Sequence, residues 1–356
     1  KDIDELFETN KVSKSSYAYI IDSHDYNIPA IMYNLLESKV YVSAAFKQFS
    51  INTSEGFKNF NNGSLVIPLS IQKTLDKDLL FEKMKNIQDQ YDVNIYSVDS
   101  GLSSSGVDLG SGNVLPINKP NVMMLIGTGV RSYEAGEVWH LLDQRVGMPI
   151  TKIPLRNFDN SSMDKYNVLI IVSGNYKLSD NQIKKIKSWA EKGNTIISIG
   201  SGSKLLIDKK IVSEELVKKE KSDSIEYLPY GDSRENMGKE RIGGVILNTL
   251  IDLTHPLAFG YENNSLPVYK NNSIWLKPSK NEYSSVVRYS DNSLIDGFLS
   301  ETNKQMLSES VSLVVSKIGR GIAVMFSDNP NFRGAWYGTN RLFLNAIFLG
   351  DRIYIP

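Results

Sequence analysis

The chain has 356 residues, enough for two domains or one large decorated one, and its 41% hydrophobic and 22% charged residues are ordinary for a globular protein. Lys plus Arg and Asp plus Glu both number 40, so no net field favours nucleic acid or an anionic membrane surface. With no cysteine, disulfides, thiolate nucleophiles and Cys-based zinc sites are excluded.

No apolar run approaches the ~20 residues of a membrane span. The three histidines, His24, His140 and His255, are few for a metalloenzyme of this size. The chain opens "KDIDELFETN", without a start Met or a signal-peptide pattern, so the natural N-terminus is expected upstream and the chain reads as a processed product or a piece of something longer.

Residues 17–99 read as an alternating α/β unit. "YAYIID" is a short apolar strand, "IPAIMYNLLESK" has helical spacing, and "VYVSAAFKQF" and "GSLVIPLS" are β-branched or apolar strands. "KDLLFEKMKNIQDQY" places Leu79, Leu80, Met84 and Ile87 on one helical face, and "VNIYSVD" closes the unit. This alternation predicts a mostly parallel sheet covered on both sides. "SGLSSSGVDLGSGNVLPINKP" (100–120) is rich in Ser and Gly and reads as the linker, giving domains 1–116 and 117–356.

The second alternation begins at "NVMMLIGTGV". It continues through the helix "SYEAGEVWHLLDQRVG", the strand "MPITKIPL", the buried strand "YNVLIIVSG" and the helix "LSDNQIKKIKSWAEKG". In that helix Ser179 and Gln182 form an S-x-x-Q capping box, Ile183, Ile186 and Ala190 line one side, and Gly193 supplies the stop. "NTIISIG" is another buried strand. The order β-α-β-β-α-β predicts a doubly wound, flavodoxin-like sheet with its ligand side at the carboxyl ends of the strands. Residues 208–300 suggest short strands and long loops. "GIAVMFSD" is the last strand, and "TNRLFLNAIFLG", apolar nearly all round, is a buried helix.

Four stretches carry candidate chemistry. In "IISIGSGSKLLI" (196–207) a buried strand turns sharply into a helix, and Ser201 or Ser203 is a possible nucleophile with His255 as base. Against this, G-S-G-S does not centre a serine between the glycines of a nucleophile elbow. The purely structural alternative has Gly200 and Gly202 shaping the turn and the serines capping the helix. "GTGVRS" (127–132) fails the dinucleotide fingerprint because Ser132 stands at the third glycine position.

Glu137, His140 and Asp143 are spaced i, i+3, i+6, and H-x-x-D resembles the H-x-x-E pair of zinc carboxypeptidases; a polar helix face is the plainer reading. "SDNPNFRGAWYGTN" (327–340) gathers Ser327, Asp328, Asn329, Asn331, Arg333, Trp336 and Tyr337 between a buried strand and a buried helix, a pattern that suits binding.

"IGSGSKL" resembles the elbow of class I glutamine amidotransferase-like domains, which carries a catalytic Cys in an I-C-x-G-x-x-L setting; Gly200 stands at the Cys position. "MFSDN" is similar to the family's Q-F-H-P-E stretch, with Ser327 at the His and Asn329 at the Glu position. The resemblance implies an amidotransferase-like fold without its catalytic triad.

"YEAGEVWHLLDQRVGMPITKIPL", "LTHPLAFGY", "FSDNPNFRGAWYGTNRLFLNAIFLG" and the lead-in "GVDLGSGNVLPINKP" together resemble the C-terminal, non-peptidase region of bacterial zinc carboxypeptidase-family proteins, back to about Tyr17. That resemblance implies two α/β domains, the second amidotransferase-like and catalytically empty. It further implies an accessory role beside an upstream peptidase domain of the same polypeptide, with zinc held only there. It implies an exported protein, periplasmic or at the cell surface. No catalytic residue, cofactor or metal is assigned to this chain; Gly200, Ser201 and Gly202 join the residues of 327–340 as binding candidates, with a peptide or a glycan as the expected ligand. A cryptic serine hydrolase at Ser201, and a free-standing carbohydrate- or protein-binding module using Trp275, Trp336 and the many tyrosines, are the alternatives.

Overall fold

The computed structural model describes residues 9–219, 227 and 229–356. The chain divides into two compact units. The first comprises Lys1–Lys119 with Asp143–Met148 and Leu253–Glu262; the second comprises Pro120–Leu142, Pro149–Asp252 and Asn263–Pro356. The first unit thus runs through the 100–120 stretch to Lys119, and two short later segments belong to it. Apolar packing explains the larger of them: the Phe259 ring meets Phe46 edge-on at 5.3 Å and lies against the Gly63 backbone.

The first unit runs β1 (Ala18–Ile21), α1 (Ile28–Glu37), β2 (Ser43–Ala45), β3 (Phe49–Thr53), β4 (Gly56–Phe60), β5 (Leu65–Pro68), α2 (Lys77–Tyr91), β6 (Tyr96–Val98), β7 (Ser105–Gly106) and β8 (Val114–Pro116). Its main sheet has the order β6-β1-β5-β2-β8, and every pair in it is antiparallel. The mostly parallel sheet expected here is corrected. The two β-α-β crossovers interleave, so β5 splits the parallel pair β1 and β2, and β1 splits β5 and β6. Alternation of strands and helices fixes the crossovers, not which strands become neighbours.

The stretch 100–120 is likewise more than a linker: β8 extends the main sheet beside β2, and β7 joins the β3–β4 hairpin. On α2, Asp76 caps the N-terminus by accepting from the Leu79 N–H, while Leu80, Met84 and Ile87 are buried. Leu79 lies off that face and is 55% exposed.

The second unit contains β9 (Val122–Ile126), α3 (Ser132–Trp139), β10 (Thr151–Pro154), β11 (Val168–Ile171), α4 (Asp180–Glu191), β12 (Thr195–Ile199) and α5 (Ser201–Asp208). There follow α6 (Ser233–Lys239), β13 (Val245–Ile251), β14 (Ser265–Lys270), β15 (Ser285–Gly297), α7 (Glu301–Ser308), β16 (Val311–Ile318), β17 (Gly321–Phe326) and α8 (Asn340–Leu349). Strands β10, β9, β11, β12 and β17 are parallel in that order, the doubly wound, flavodoxin-like arrangement.

The sheet then continues antiparallel through β16, β15, β13 and β14. Over 208–300, where short strands and long loops are expected, β13 and β14 are short and their connections long, while β15 runs for 13 residues. Strands β9, β11, β12 and β17 are buried along nearly all their length, as crossover helices on both faces require, while the edge strand β10 exposes Thr151 and Lys152. The capping box at Ser179 and Gln182 is formed in both directions, and α8 is buried on nearly all sides.

Candidate functional site

The loops at the carboxyl ends of the parallel strands are where a doubly wound sheet holds its ligand. The sheet order reverses between β9 and β11, and there the chain fills the crevice with its own backbone. Val130 and Gly174 form an antiparallel bridge, the Arg131 N–H donates to Ser173 O at 2.9 Å, and the Asn175 N–H donates to Gly129 O at 2.7 Å. Gly129 is at φ +90°, and a Cβ there would collide with Asn175 O. Gly129 of "GTGV" thus serves a close backbone crossing, while Gly127 turns the chain at φ +106°.

The elbow after β12 has the bent conformation expected of a nucleophile turn, and the Ser173 hydroxyl stands where a side chain at position 200 would begin. Gly200 sits at φ +53° and ψ −118°, a region that side chains rarely occupy. A Cβ at this position would come closer than 3.0 Å to Ser173 Oγ and would lie 3.6 Å from Asn272 Nδ2. The hydroxyl and amide nearest the vacant nucleophile position are both non-titrating, so neither can act there as a general base.

The neighbouring serines are committed to the backbone. Ser201 Oγ accepts from the Gly174 N–H at 2.8 Å and donates to Gly174 O at 3.2 Å. Ser203 is fully buried, donates to Phe326 O at 2.9 Å and shares a hydrogen bond with Ser198. A Cβ on Gly202 would strike Ile171 O, so that glycine lets α5 pack tightly on β11. His255 belongs to the first unit, where its Nδ1 accepts from the Leu257 N–H and caps a short 3-10 turn.

Ser327, at the position of the family's His, lies in a buried polar cluster. Lys270, at the end of β14, is completely buried, and its Nζ donates to Ser327 Oγ at 2.7 Å, to Ile274 O at 2.7 Å and to Asp328 Oδ1 at 3.1 Å. The Trp275 ring lies 4.4 Å from the same nitrogen. Asp328 also accepts from the Tyr289 hydroxyl at 2.8 Å and from Ser312 Oγ at 2.6 Å. Burial holds the Lys270 pKa below its ordinary value despite the pull of Asp328. Burial also pushes Tyr289 well above its own ordinary value. Sealed from solvent, this cluster anchors the start of the 327–340 loop.

The polar face of α3 holds two loops. Glu134 is buried; it accepts from the Ser173 N–H at 2.8 Å and from Arg131 Nη1 at 3.1 Å. One turn on, Glu137 accepts from Asn329 Nδ2 at 2.6 Å and from the Arg333 N–H at 2.7 Å, and its half-buried setting raises its pKa. From His140 to Arg145 the helix widens to π geometry, so Glu137, His140 and Asp143 do not repeat on one α-helical face. Among the described residues no group of three or more His, Asp or Glu is placed to hold a metal ion. Glu137 is the one of the three for which the structure gives a role in the loop, as the acceptor from Asn329 and Arg333.

The rest of the loop faces two ways. Asn331 is 1% exposed, and both polar atoms of its side chain lack a hydrogen-bond partner among the described residues. Arg333, in the left-handed region at φ +54°, is exposed, and its guanidinium lies 5.3 Å from the Phe332 ring centre. Phe332 stacks on Tyr269 at 3.7 Å, Trp336 lies 6.2 Å from Tyr269 and donates to Pro267 O, and Tyr337 is 52% exposed. Trp275, in contrast, is 3% exposed within a core cluster and cannot serve as a surface platform. Sequence reasoning missed Ser173, Lys270, Asn272, Tyr289 and Ser312, which come from strand ends and loops far from the glycine-rich turns.

No protein-family model and no curated protein matches this sequence. Solved structures with a similar chain course include a protein described as a GMP synthase component from Thermoplasma acidophilum, with 11% identity over 64% of this chain and 92% of that one, TM-score 0.41. A ThuA-like protein from Parabacteroides merdae has 10% identity over 65% of this chain and 90% of that one, TM-score 0.42. A glutamine amidotransferase from Thermotoga maritima has 10% identity over 60% of this chain and 76% of that one, TM-score 0.35. None of these three is a zinc carboxypeptidase, and the likenesses bear on neither the chemistry nor the ligand of this chain. The larger unit has a doubly wound α/β fold, with glutamine amidotransferase-like and ThuA-like proteins among its structural neighbours.

Proposed function

We propose that this chain is a catalytically inactive accessory and binding region of an exported zinc carboxypeptidase-like protein. In this reading the 327–340 loop engages a peptide or glycan ligand, or the peptidase domain of the same polypeptide, and zinc is held by that upstream domain. The observation that carries the inactive half of the proposal is the elbow, where the Ser173 hydroxyl fills the room that a side chain at position 200 would need. The binding half is supported by the anchored loop. Glu137 and the Lys270–Asp328 cluster fix its backbone, while Arg333, Trp336 and Tyr337 face outward or lie half-exposed.

The test is an assay of the purified chain on peptides with free C-termini, with and without added zinc. No release of C-terminal residues is expected, and zinc-dependent release would refute the reading. The coding DNA upstream of the Lys1 codon tests the accessory role: an in-frame domain carrying H-x-x-E and a later His is expected. A start codon or signal peptide directly upstream would overturn that role.

A further inference from the structure

The first unit carries a pocket of its own, about 330 Å³, at the lower end of the range for small-molecule sites. One wall is apolar or aromatic, made by Leu253, Phe259 and Tyr261. The opposite chemistry is a connected row of polar side chains. Gln48 Nε2 donates to Asn61 Oδ1 at 2.9 Å, which turns the Asn61 amide nitrogen toward the His24 ring, 3.4 Å from each ring nitrogen. His24 Nδ1 lies 3.1 Å from Asp22 Oδ1 and 3.7 Å from Glu262 Oε1. Asn62 also lines the pocket, although its Oδ1 is turned away from solvent and has no hydrogen-bond partner among the described residues.

We propose that this pocket binds a neutral polyhydroxylated ligand of the saccharide class. Charge decides against anions: Glu262 lines the pocket, Asp22 stands behind His24, and neither Lys nor Arg is among the lining residues. A phosphate or carboxylate would therefore meet the Glu262 carboxylate with no Lys or Arg in the lining to offset it. Shape and polarity favour a sugar ring, whose C–H face suits the Tyr261 and Leu253 wall. Its hydroxyls can donate to Glu262 and accept from the amides of Asn61 and Gln48. His24, Asp22 and Glu262 are not placed to hold a metal, so direct recognition of the ring is what the row can supply.

The test uses saturation-transfer NMR on the intact chain with glucose, galactose, mannose, N-acetylglucosamine and glucosamine at millimolar concentration, and with ethanolamine as the amine control. At least one neutral sugar is expected to receive saturation. Asn61→Ala and the surface change Glu262→Gln should each reduce it at least about five-fold, while Lys184→Ala on the exposed face of α4 leaves it unchanged. Glu262 is 70% exposed, so its variant keeps the test valid even where Asn61→Ala fails to fold. Absence of transfer to every neutral sugar, or transfer that survives Glu262→Gln, would overturn the proposal. A response confined to glucosamine and ethanolamine would also overturn it, in favour of a cation site. The outcome is independent of the peptidase assay, because Asn61 and Glu262 belong to the first unit and the 327–340 loop to the second.

Discussion

Replacing Asp328 by Asn should expose the cost of burying the Lys270 ammonium. In the native structure that nitrogen has one counter-charge among the described residues, Asp328 Oδ1 at 3.1 Å, together with Ser327 Oγ, Ile274 O and the Trp275 ring. Asp328→Asn keeps the shape and removes this charged partner. Breaking a buried pair in this way costs about 3–5 kcal/mol, which for a domain of 150–250 residues lowers Tm by about 6–20 °C. Lys270→Met should fall at the low end of that range, because the Asp328 carboxylate keeps the Tyr289 and Ser312 hydroxyl donors. The double variant should recover part of the loss.

The pH dependence carries the stronger signature. Burial depresses the folded-state pKa of Lys270 below the ordinary 10.5, so the unfolded chain binds more protons in the window beneath 10.5, and stability there rises with pH. Losing Asp328 removes the two contributions that oppose this depression, so the window widens downward and the rise steepens. Tyr289 acts in the opposite sense, since its raised pKa takes stability away only above the ordinary 10.0, and the slope is therefore read below that point. The assay is urea unfolding between about pH 7 and 9.5 on wild type and Asp328→Asn. Two single variants within about 1 kcal/mol of wild type, or a flat pH profile for Asp328→Asn, would refute the reasoning.

Gly200→Ala should destabilise by at least about 2 kcal/mol, from a positive φ and a collision with Ser173 Oγ. Ser173→Gly in the same chain should restore part of this by urea midpoint, and a Gly200→Ala chain as stable as wild type would remove the packing argument for an empty elbow. Ser179→Ala should cost about 1 kcal/mol by breaking the capping box on α4, again read from the urea midpoint. Glu137 has a pKa raised by burial, so the folded chain keeps its proton longer, and stability falls as pH rises from 4.5 through the folded-state value. Glu137→Gln should flatten that decline, and an unchanged profile would place the titrating group elsewhere.

The parallel half of the large unit was legible because its signals are local. Four buried strands, VMMLI, VLII, TIISI and GIAVMF, are near-continuous apolar runs, and the intervening α4 carries its own cap and stop. The antiparallel half was hidden by chemistry of another kind. In β15 the burial alternates weakly and ends in exposed residues, its pairing with β13 shifts register twice, and β14 contains Pro267. β16 did carry a signal, since VSLVVSKI is buried at all but one position.

At the site, the glycine turns and the 327–340 loop stood out because each lies within one short stretch. The groups that decide their chemistry, Ser173 and Asn272 at the elbow, arrive from other loops, and no spacing rule links them. Lys270 was missed although its strand carried a signal: it shares the inward face of β14 with Leu266 and Val268, and a lysine on an apolar face asks for a buried partner.

Strand β17 joins the two halves of the large sheet, parallel to β12 on one side and antiparallel to β16 on the other. Its partner β12 lies more than a hundred residues earlier, whereas β16 is joined to it by a tight turn, so one edge can zip at once and the other must wait for a long loop to close. During synthesis β9 to β12 would leave the ribosome with the β12 edge unpaired, exposing backbone donors and acceptors until β17 emerges. Folding of this unit should therefore be slow and concentration-sensitive, with insertion of one six-residue strand as the step that commits it.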